Sequence, residues 1–215
     1  MGSVNDTPAL ATNPKFIFFT DFDGTVTTAD SNDFMTDNLG FGKERRVHLN
    51  KEVLYNRMHF RDSFQEMLDS VETPFNECVE ILKANIKLDP GFKEFYTWAK
   101  ENNVPIVILS GGMTPVISTL LDNLLGKGWD IQIVSNDVQP REGKSINEKG
   151  GWNIKFHDDT PFGHDKSIEI RKYSGLPGRP TMFYAGDGVS DLSAAKETDL
   201  LFAKEGKGEP KPVDF

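Results

Sequence analysis

Two aspartates two residues apart stand directly behind an apolar run, where Phe16-Ile17-Phe18-Phe19-Thr20 leads into Asp21-Phe22-Asp23-Gly24-Thr25. Paired carboxylates where a strand ends in a glycine turn concentrate negative charge, which is costly unless a cation neutralises it. Three other segments carry matching chemistry: Ser110-Gly111-Gly112, Lys166 within Gly163-His164-Asp165-Lys166-Ser167, and Gly186-Asp187-Gly188-Val189-Ser190-Asp191. Together they point to phosphoryl transfer assisted by Mg2+. Asp21 is the candidate nucleophile, because a carboxylate that attacks phosphorus forms an acyl phosphate and splits hydrolysis into two easier steps. Asp23 is the candidate general acid for the departing alkoxide, then base for the attacking water. Asp187 adds a hard oxygen ligand for Mg2+ beside Asp21, while Asp191 either holds metal-bound water or orients Lys166.

The remaining residues suit the phosphate itself. Ser110, Gly111 and Gly112 offer a hydroxyl and unobstructed backbone N–H groups, and Lys166 a compact positive charge near a helix start. Thr25 fixes the turn or donates to the substrate. Each fragment alone has an ordinary explanation as a turn, a loop or a solvated lysine. Their joint order, with Asp21, Ser110 and Asp187 each just past a strand end, outweighs those explanations, because ligands of open α/β sheets sit beyond the carboxyl ends of the strands. His48, His59, His157 and His164 lack metal-ligand spacing, and His164 is expected to make a structural hydrogen bond. Cys78 and the three tryptophans, Trp98, Trp129 and Trp152, are expected to pack.

The elements that must position these residues can be read from periodicity. Five short apolar runs read as buried strands: Phe16–Thr20, Pro105–Leu109, Ile131–Ser135, Thr181–Ala185 and Leu200–Ala203. Helical patterns between several of them imply an α/β fold with a parallel, Rossmann-like sheet. Asp89-Pro90-Gly91 reads as a helix start with Asp89 as N-cap and Pro90 at the first position. Thr114-Pro115 opens a second such helix, which Gly126 stops. Residues 28–88 show no strand but several helical segments: Asp33–Leu39, Lys43–Arg57, Phe60–Ser70 and one opened by Thr73-Pro74. A simple crossover needs far fewer residues. The expected division is therefore a catalytic core of residues 1–27 and 89–215, with a helical cap of residues 28–88 inserted after the first strand. Residues 136–165 are irregular, with a β-hairpin expected around Trp152–Phe156.

Composition narrows the function class. The 215 residues carry 33 acidic and 24 basic side chains, a formal charge of −9 that argues against a nucleic-acid footprint. One cysteine excludes an internal disulfide and is compatible with a reducing cytoplasm. No apolar run reaches membrane-spanning length, and Met1 to Pro14 lacks a signal-peptide core. A soluble, cytoplasmic protein acting on a small-molecule phosphate is expected, and no partner protein can be inferred.

The four motifs together resemble those of the haloacid-dehalogenase superfamily of phosphohydrolases. Asp21-Phe22-Asp23-Gly24-Thr25 matches its first motif, Ser110 the second, Lys166 the third and Gly186 to Asp191 the fourth. The resemblance implies a Rossmann-like core, Mg2+ and an aspartyl-phosphate intermediate. It also implies a metal held by Asp21, the backbone carbonyl of Asp23, and Asp187. Within the superfamily the chain is similar to the phosphoserine-phosphatase-like branch. It looks closer still to fungal polyol-phosphate phosphatases and diketo-methylthiopentyl-phosphate phosphatases, through Thr27 to Asp33, Asp89-Pro90-Gly91-Phe92, Ser110 to Met113 and Leu200 to Lys204. Such relatives continue past residue 215, so a truncated C-terminus is expected.

One departure bears on substrate. Where phosphoserine phosphatases carry a cap arginine for the substrate carboxylate and a recognition glutamate, this chain aligns Met67 and Asp30. A carboxylate then lacks its partner unless Arg57 or Arg61 substitutes, whereas Asp30 accepts hydrogen bonds from hydroxyls. A sugar or polyol phosphate is therefore favoured over phosphoserine. A phosphomutase and a non-catalytic phosphate-binding module are the alternatives.

Overall fold

In the computed structural model, residues 7–188 and 191–205 are described. Six strands form one sheet: β1 (Phe16–Thr20), β2 (Ile106–Met113), β3 (Gln132–Pro140), β4 (Trp152–Lys155), β5 (Thr181–Gly186) and β6 (Leu200–Ala203). Their spatial order is β4-β3-β2-β1-β5-β6. All neighbours pair in parallel except β4, which runs antiparallel to β3 as the return arm of the expected hairpin. β1 lies centrally, with β2 on one side and β5 on the other, so the chain reverses its direction of winding there. That reversal opens a crevice at the carboxyl end of β1, between the ends of its neighbours.

Alternation along the strands divides the interior. Ile17 and Phe19 of β1, with Val107 and Leu109 of β2, face a cluster closed by Ile170 and Tyr173 of α7 (Lys166–Ser174). Ile106 and Ile108 face the other, larger cluster, which includes Val116, Ile117, Leu120 and Leu121 of α6 (Thr114–Leu125). Side chains two apart share a face, so one strand feeds two cores.

Between β1 and α5 (Phe92–Glu101) come four helices: α1 (Ser31–Leu39), α2 (Lys43–Leu54), α3 (Phe60–Asp69) and α4 (Phe75–Asn85). The excursion leaves and returns through one point, a bridge between Thr27 and Leu88 flanked by Thr28 N–H to Lys87 carbonyl at 2.9 Å. The segment joining β3 and β4 is bound to these helices. Phe75 N–H donates to the Ile146 carbonyl at 3.0 Å, Gly150 N–H to Glu72 at 2.7 Å, and the Trp152 indole to Thr73 at 2.9 Å.

Several local expectations need correction. β2 does not stop at Leu109 but continues through Ser110-Gly111-Gly112 to Met113, with a register shift between Ser110 and Met113 against β3. The phosphate-loop residues thus form a bulge in a strand rather than a loop beyond it. Asp89 does not cap α5, whose N-cap is Gly91; its carboxylate instead accepts from Gly91 N–H at 3.0 Å and pairs with Lys204 at 2.9 Å. α2 ends at Leu54, and Asn56, not a glycine, takes the left-handed turn that follows, at φ 56°. Trp152 is fully buried, whereas Trp98 is about half exposed on α5. Residues 206–215, on which the reading of the C-terminus rests, lie outside the described residues, as do Val189 and Ser190 of the fourth motif.

Candidate active site

The carboxyl end of β1 delivers Asp21 and Asp23 into a cavity of about 270 Å³. The fourth-motif turn after β5 and the first residue of α7 bring Asp187 and Lys166 to the same cavity. Lys166 is buried, and its Nζ donates to Asp21 Oδ1 and Asp191 Oδ1, both at 2.7 Å. The Tyr184 hydroxyl on β5 donates to the same Asp191 oxygen at 2.6 Å, and Gly188 N–H reaches Asp191 Oδ2 at 3.1 Å. Asp191 therefore has both oxygens engaged, and it fixes Lys166 from behind. Tyr184 was invisible as a functional residue in the sequence, where it reads as one more apolar strand position; nothing there marks its hydroxyl.

Asp23 is positioned differently. Its Oδ1 accepts from Ser31 N–H at 2.7 Å and its Oδ2 from Asn32 Nδ2 at 3.1 Å. Both donors come from the start of α1, which Asp30 caps through Oδ1 to the N–H groups of Asn32 and Asp33 at 2.7 and 2.9 Å. A capping carboxylate satisfies two of the four orphan N–H groups of a helix start. Asp30 thus lines the cavity while one of its oxygens serves the helix. Asn32 was missed because a lone Asn after Asp and Ser reads as first-turn chemistry.

The phosphate loop differs from expectation in one respect. Gly112 N–H is not unobstructed: it donates to Ser110 Oγ at 3.0 Å, while Asn136 Nδ2 holds the Gly111 carbonyl at 2.7 Å. A Cβ at Gly112 would fall 3.1 Å from Asp23 Oδ2. Thr25 does not line the cavity; its Oγ1 is buried without a hydrogen-bond partner, and the turn is tied by Thr27, whose Oγ1 accepts from Gly24 N–H at 3.2 Å.

Burial sets the protonation of the site. It pushes the Asp21 carboxyl up to about 7, against the opposing charge of Lys166. Burial, with Asp30 nearby, holds Asp23 well above the usual carboxylate range. Burial also acts on Asp191, but Lys166 and the hydrogen bonds from Lys166 and Tyr184 outweigh it and bring that carboxyl down. The two carboxylates expected to divide acid and nucleophile roles are thus both costly to ionise without further positive charge.

The donor set fits a hard divalent cation. One carboxylate oxygen from each of Asp21, Asp187 and Asp191 lies within 4.8 Å of the others. Asp187 comes so close to Gly24 that a Cβ there, at φ 80°, would fall 2.2 Å from its Oδ2, so only glycine leaves that carboxylate its place. All-oxygen acidic ligands suit Mg2+.

The cavity wall opposite in kind is aromatic: Phe60 and Phe64 of α3, stacked at 5.3 Å, and Phe162. Met67 is buried in the core and does not line the cavity. Neither arginine named as its substitute lines the cavity: Arg57 pairs with Glu52, and Arg61 donates to the Asp158 carbonyl at 2.6 Å with its guanidinium over Phe156. His164 lines the cavity, and the structural hydrogen bond expected of it is absent, since neither ring nitrogen has a partner. No described helix is long and apolar enough to cross a membrane.

Comparison with known proteins gives the family. The model of the haloacid dehalogenase-like hydrolase family matches residues 18–196. The chain is 52% identical over 203 residues to polyol phosphate phosphatase PYP1 of Saccharomyces cerevisiae, covering 90% of this chain and 82% of that protein. It is 50% identical over 202 residues to Pdp3-interacting factor 1 of Schizosaccharomyces pombe, covering 92% and 86%. A 2-hydroxy-3-keto-5-methylthiopentenyl-1-phosphate phosphatase of Bacillus cytotoxicus is 26% identical over 188 residues, covering 87% and 82%. Among solved structures, a substrate-bound phosphoserine phosphatase superposes with a TM-score of 0.65 at 20% identity, covering 88% of this chain and 85% of that one. At that identity the likeness speaks for the fold alone. With motifs, fold and family match in agreement, the chain belongs to the haloacid dehalogenase-like hydrolases and is an enzyme of their phosphatase kind.

Proposed function

We propose that this protein is a Mg2+-dependent phosphomonoesterase that hydrolyses a small sugar or polyol phosphate through an aspartyl phosphate on Asp21. In this reading residues 28–88 are the cap over a core of residues 1–27 and 89–215. The observation that carries the substrate class is the charge inventory of the cavity. Among its described lining residues Lys166 is the one cationic side chain, and it is bound to Asp21 and Asp191. A phosphate can share that charge with a bound cation, but a second anionic group, such as the carboxylate of phosphoserine, finds no partner. Asp30, Asn32 and the phenylalanines offer hydroxyl acceptors and apolar contact instead. The name of the yeast relative, polyol phosphate phosphatase, points the same way.

Asp21 and Asp187, with the Asp23 carbonyl, would hold Mg2+, which when bound would supply the positive charge that a carboxylate needs to approach a phosphate dianion. The protein's own groups do the rest. Lys166 holds the Asp21 carboxylate in one orientation, with Asp191 and Tyr184 fixing the ammonium. Ser110 Oγ donates to a phosphate oxygen. Asp21 forms a bond to phosphorus as the bond to the alkoxide oxygen breaks, and that oxygen takes the proton of Asp23. A carboxyl held protonated by burial suits this step. Asp23, now a carboxylate, takes a proton from water, whose oxygen attacks phosphorus and releases inorganic phosphate and free Asp21. A cytoplasmic location fits a single, buried cysteine whose thiol burial pushes up to about 12.

The test is phosphate release from a panel of polyol, sugar and amino-acid phosphates, with Mg2+ and with chelator. Release that needs Mg2+, favours the hydroxyl-bearing substrates and falls by at least about 10³-fold in Asp21→Asn is expected, since the nucleophile acts with its partners as a unit. Undiminished turnover in that variant removes Asp21 from its role.

A further inference from the structure

Two polar side chains on the cavity wall carry buried atoms without a hydrogen-bond partner. His164 is 6% exposed, and both its ring nitrogens lack a hydrogen-bond partner. The Oδ1 of Asn32 is likewise buried and unpartnered, although its Nδ2 is bound to Asp23. Unpaired buried polar atoms are rare, because each gives up its solvation with nothing in return. The neighbouring acids do not relieve His164. Asp158 accepts from Thr160 and from Asp165 N–H, Asp165 accepts from Ser167, and Glu169 pairs with His157 and Lys172. The ring packs on His157 at 4.6 Å between centroids, a contact that offers no hydrogen bond.

The chemistry of these atoms defines what would pair them. Asn32 Oδ1 only accepts, and a phosphate dianion also only accepts, so the phosphate cannot satisfy it. Burial, then the charges of His157 and Lys166, hold the His164 imidazole down to about 3, so it is neutral and no second phosphate clamp. A neutral imidazole has one donor and one acceptor, which matches an alcohol group. We propose that His164 and the Asn32 carbonyl oxygen form a subsite that reads hydroxyl groups on the part of the substrate that leaves as the alcohol. This rests on the polyol or sugar phosphate reading above. A site built to pair hydroxyls discriminates strongly against analogues lacking them, because its own polar groups are then left unpaired.

The experiment compares glycerol 3-phosphate with phenyl phosphate, which has no hydroxyl on its leaving group, in the full-length protein with Mg2+. In His164→Phe, kcat/KM for glycerol 3-phosphate is expected to fall by about ten- to a hundredfold, while that for phenyl phosphate stays within about twofold. An unchanged ratio between the two substrates overturns the subsite. A second measurement needs no variant of His164: in Asp21→Asn, the imidazole 15N resonances of His164 shift on adding glycerol 3-phosphate and not on adding inorganic phosphate. Equal response to both ligands, or to neither, also overturns it. The underlying substrate reading fails separately: wild-type protein would then release phosphate from phenyl phosphate and from no hydroxyl-bearing ester, which sinks the subsite as well.

Discussion

Arg46 and Lys166 are both buried cations with two aspartate partners, yet they are built to opposite ends. Arg46 of α2 reaches Asp37 through Nε and Nη2 at 2.7 and 2.9 Å, and Asp33 through Nη1 at 2.6 Å, all on α1. Its planar fork matches the Asp37 carboxylate bidentately and clamps two adjacent helices. Lys166 is a point charge at the start of α7, shared between Asp21 of one strand and Asp191 beyond another. Around it stand Asp187 and Asp23 with no further cationic side chain lining the cavity among the described residues. A saturated fork holds helices together, whereas an acid-rich cluster opening on a cavity keeps its electrostatic balance for a ligand. Charge surplus at an opening, rather than buried charge itself, distinguishes the reactive site from the structural one.

The comparison can be broken at either cation. Lys166→Met leaves Asp21 and Asp191 without their cation and removes positive charge from the phosphate. Phosphate release is expected to fall by at least about 10²–10³-fold, with stability lowered by about 3 kcal/mol. Arg46→Leu is expected to cost a similar 3 kcal/mol in urea unfolding. Its kcat/KM should nevertheless stay within about threefold at temperatures where it is folded, since it touches no reacting group. Equal loss of activity in both variants would erase the distinction drawn between them.

A smaller effect sharpens it. Asp21 titrates near 7 in the folded chain and near 3.8 when unfolded. Between those values the folded state keeps a proton that the unfolded state has released, so stability falls as pH rises through that window. Asp33, beside Arg46 and also raised to about 7 by burial, contributes the same sign. With chelator present, the urea midpoint is expected to decline from pH 4 to pH 7. Asp21→Asn should remove part of that slope and leave the shares of Asp23, Asp30 and Asp33, which burial also raises. Mg2+ should flatten the Asp21 share alone, because a bound cation favours the ionised carboxylate. A slope unaffected by Mg2+ would mean that no cation meets Asp21.

Much of this was legible from residue order. The α/β class, five of the six strands and the helical run between β1 and α5 follow from apolar periodicity, which depends on neighbours along the chain. The motifs at Asp21, Ser110 and Asp187 were legible because each combines an apolar run with a turn residue and a charged or hydroxyl side chain, and Lys166 because it opens a helix after a glycine turn. Asp89 misled for a local reason: Asp-Pro-Gly serves equally as a helix cap and as a turn whose carboxylate closes on its own backbone. The Ser110 bulge was hidden because two glycines signal a loop whether or not a strand continues through them.

What residue order alone determined was a set of chemical parts and the ends of strands on which they sit. Which parts touch was decided in three dimensions. Parallel strands bring residues 21, 110, 166 and 187 together through crossovers that no local pattern encodes. The same packing makes Tyr184 a buried hydroxyl for Asp191, Asn32 a donor to Asp23, and His164 a neutral ring without a partner. Desolvation is a property of the assembled surroundings, so protonation at Asp21 and Asp23 belongs to the tertiary structure even though their identity belongs to the chain.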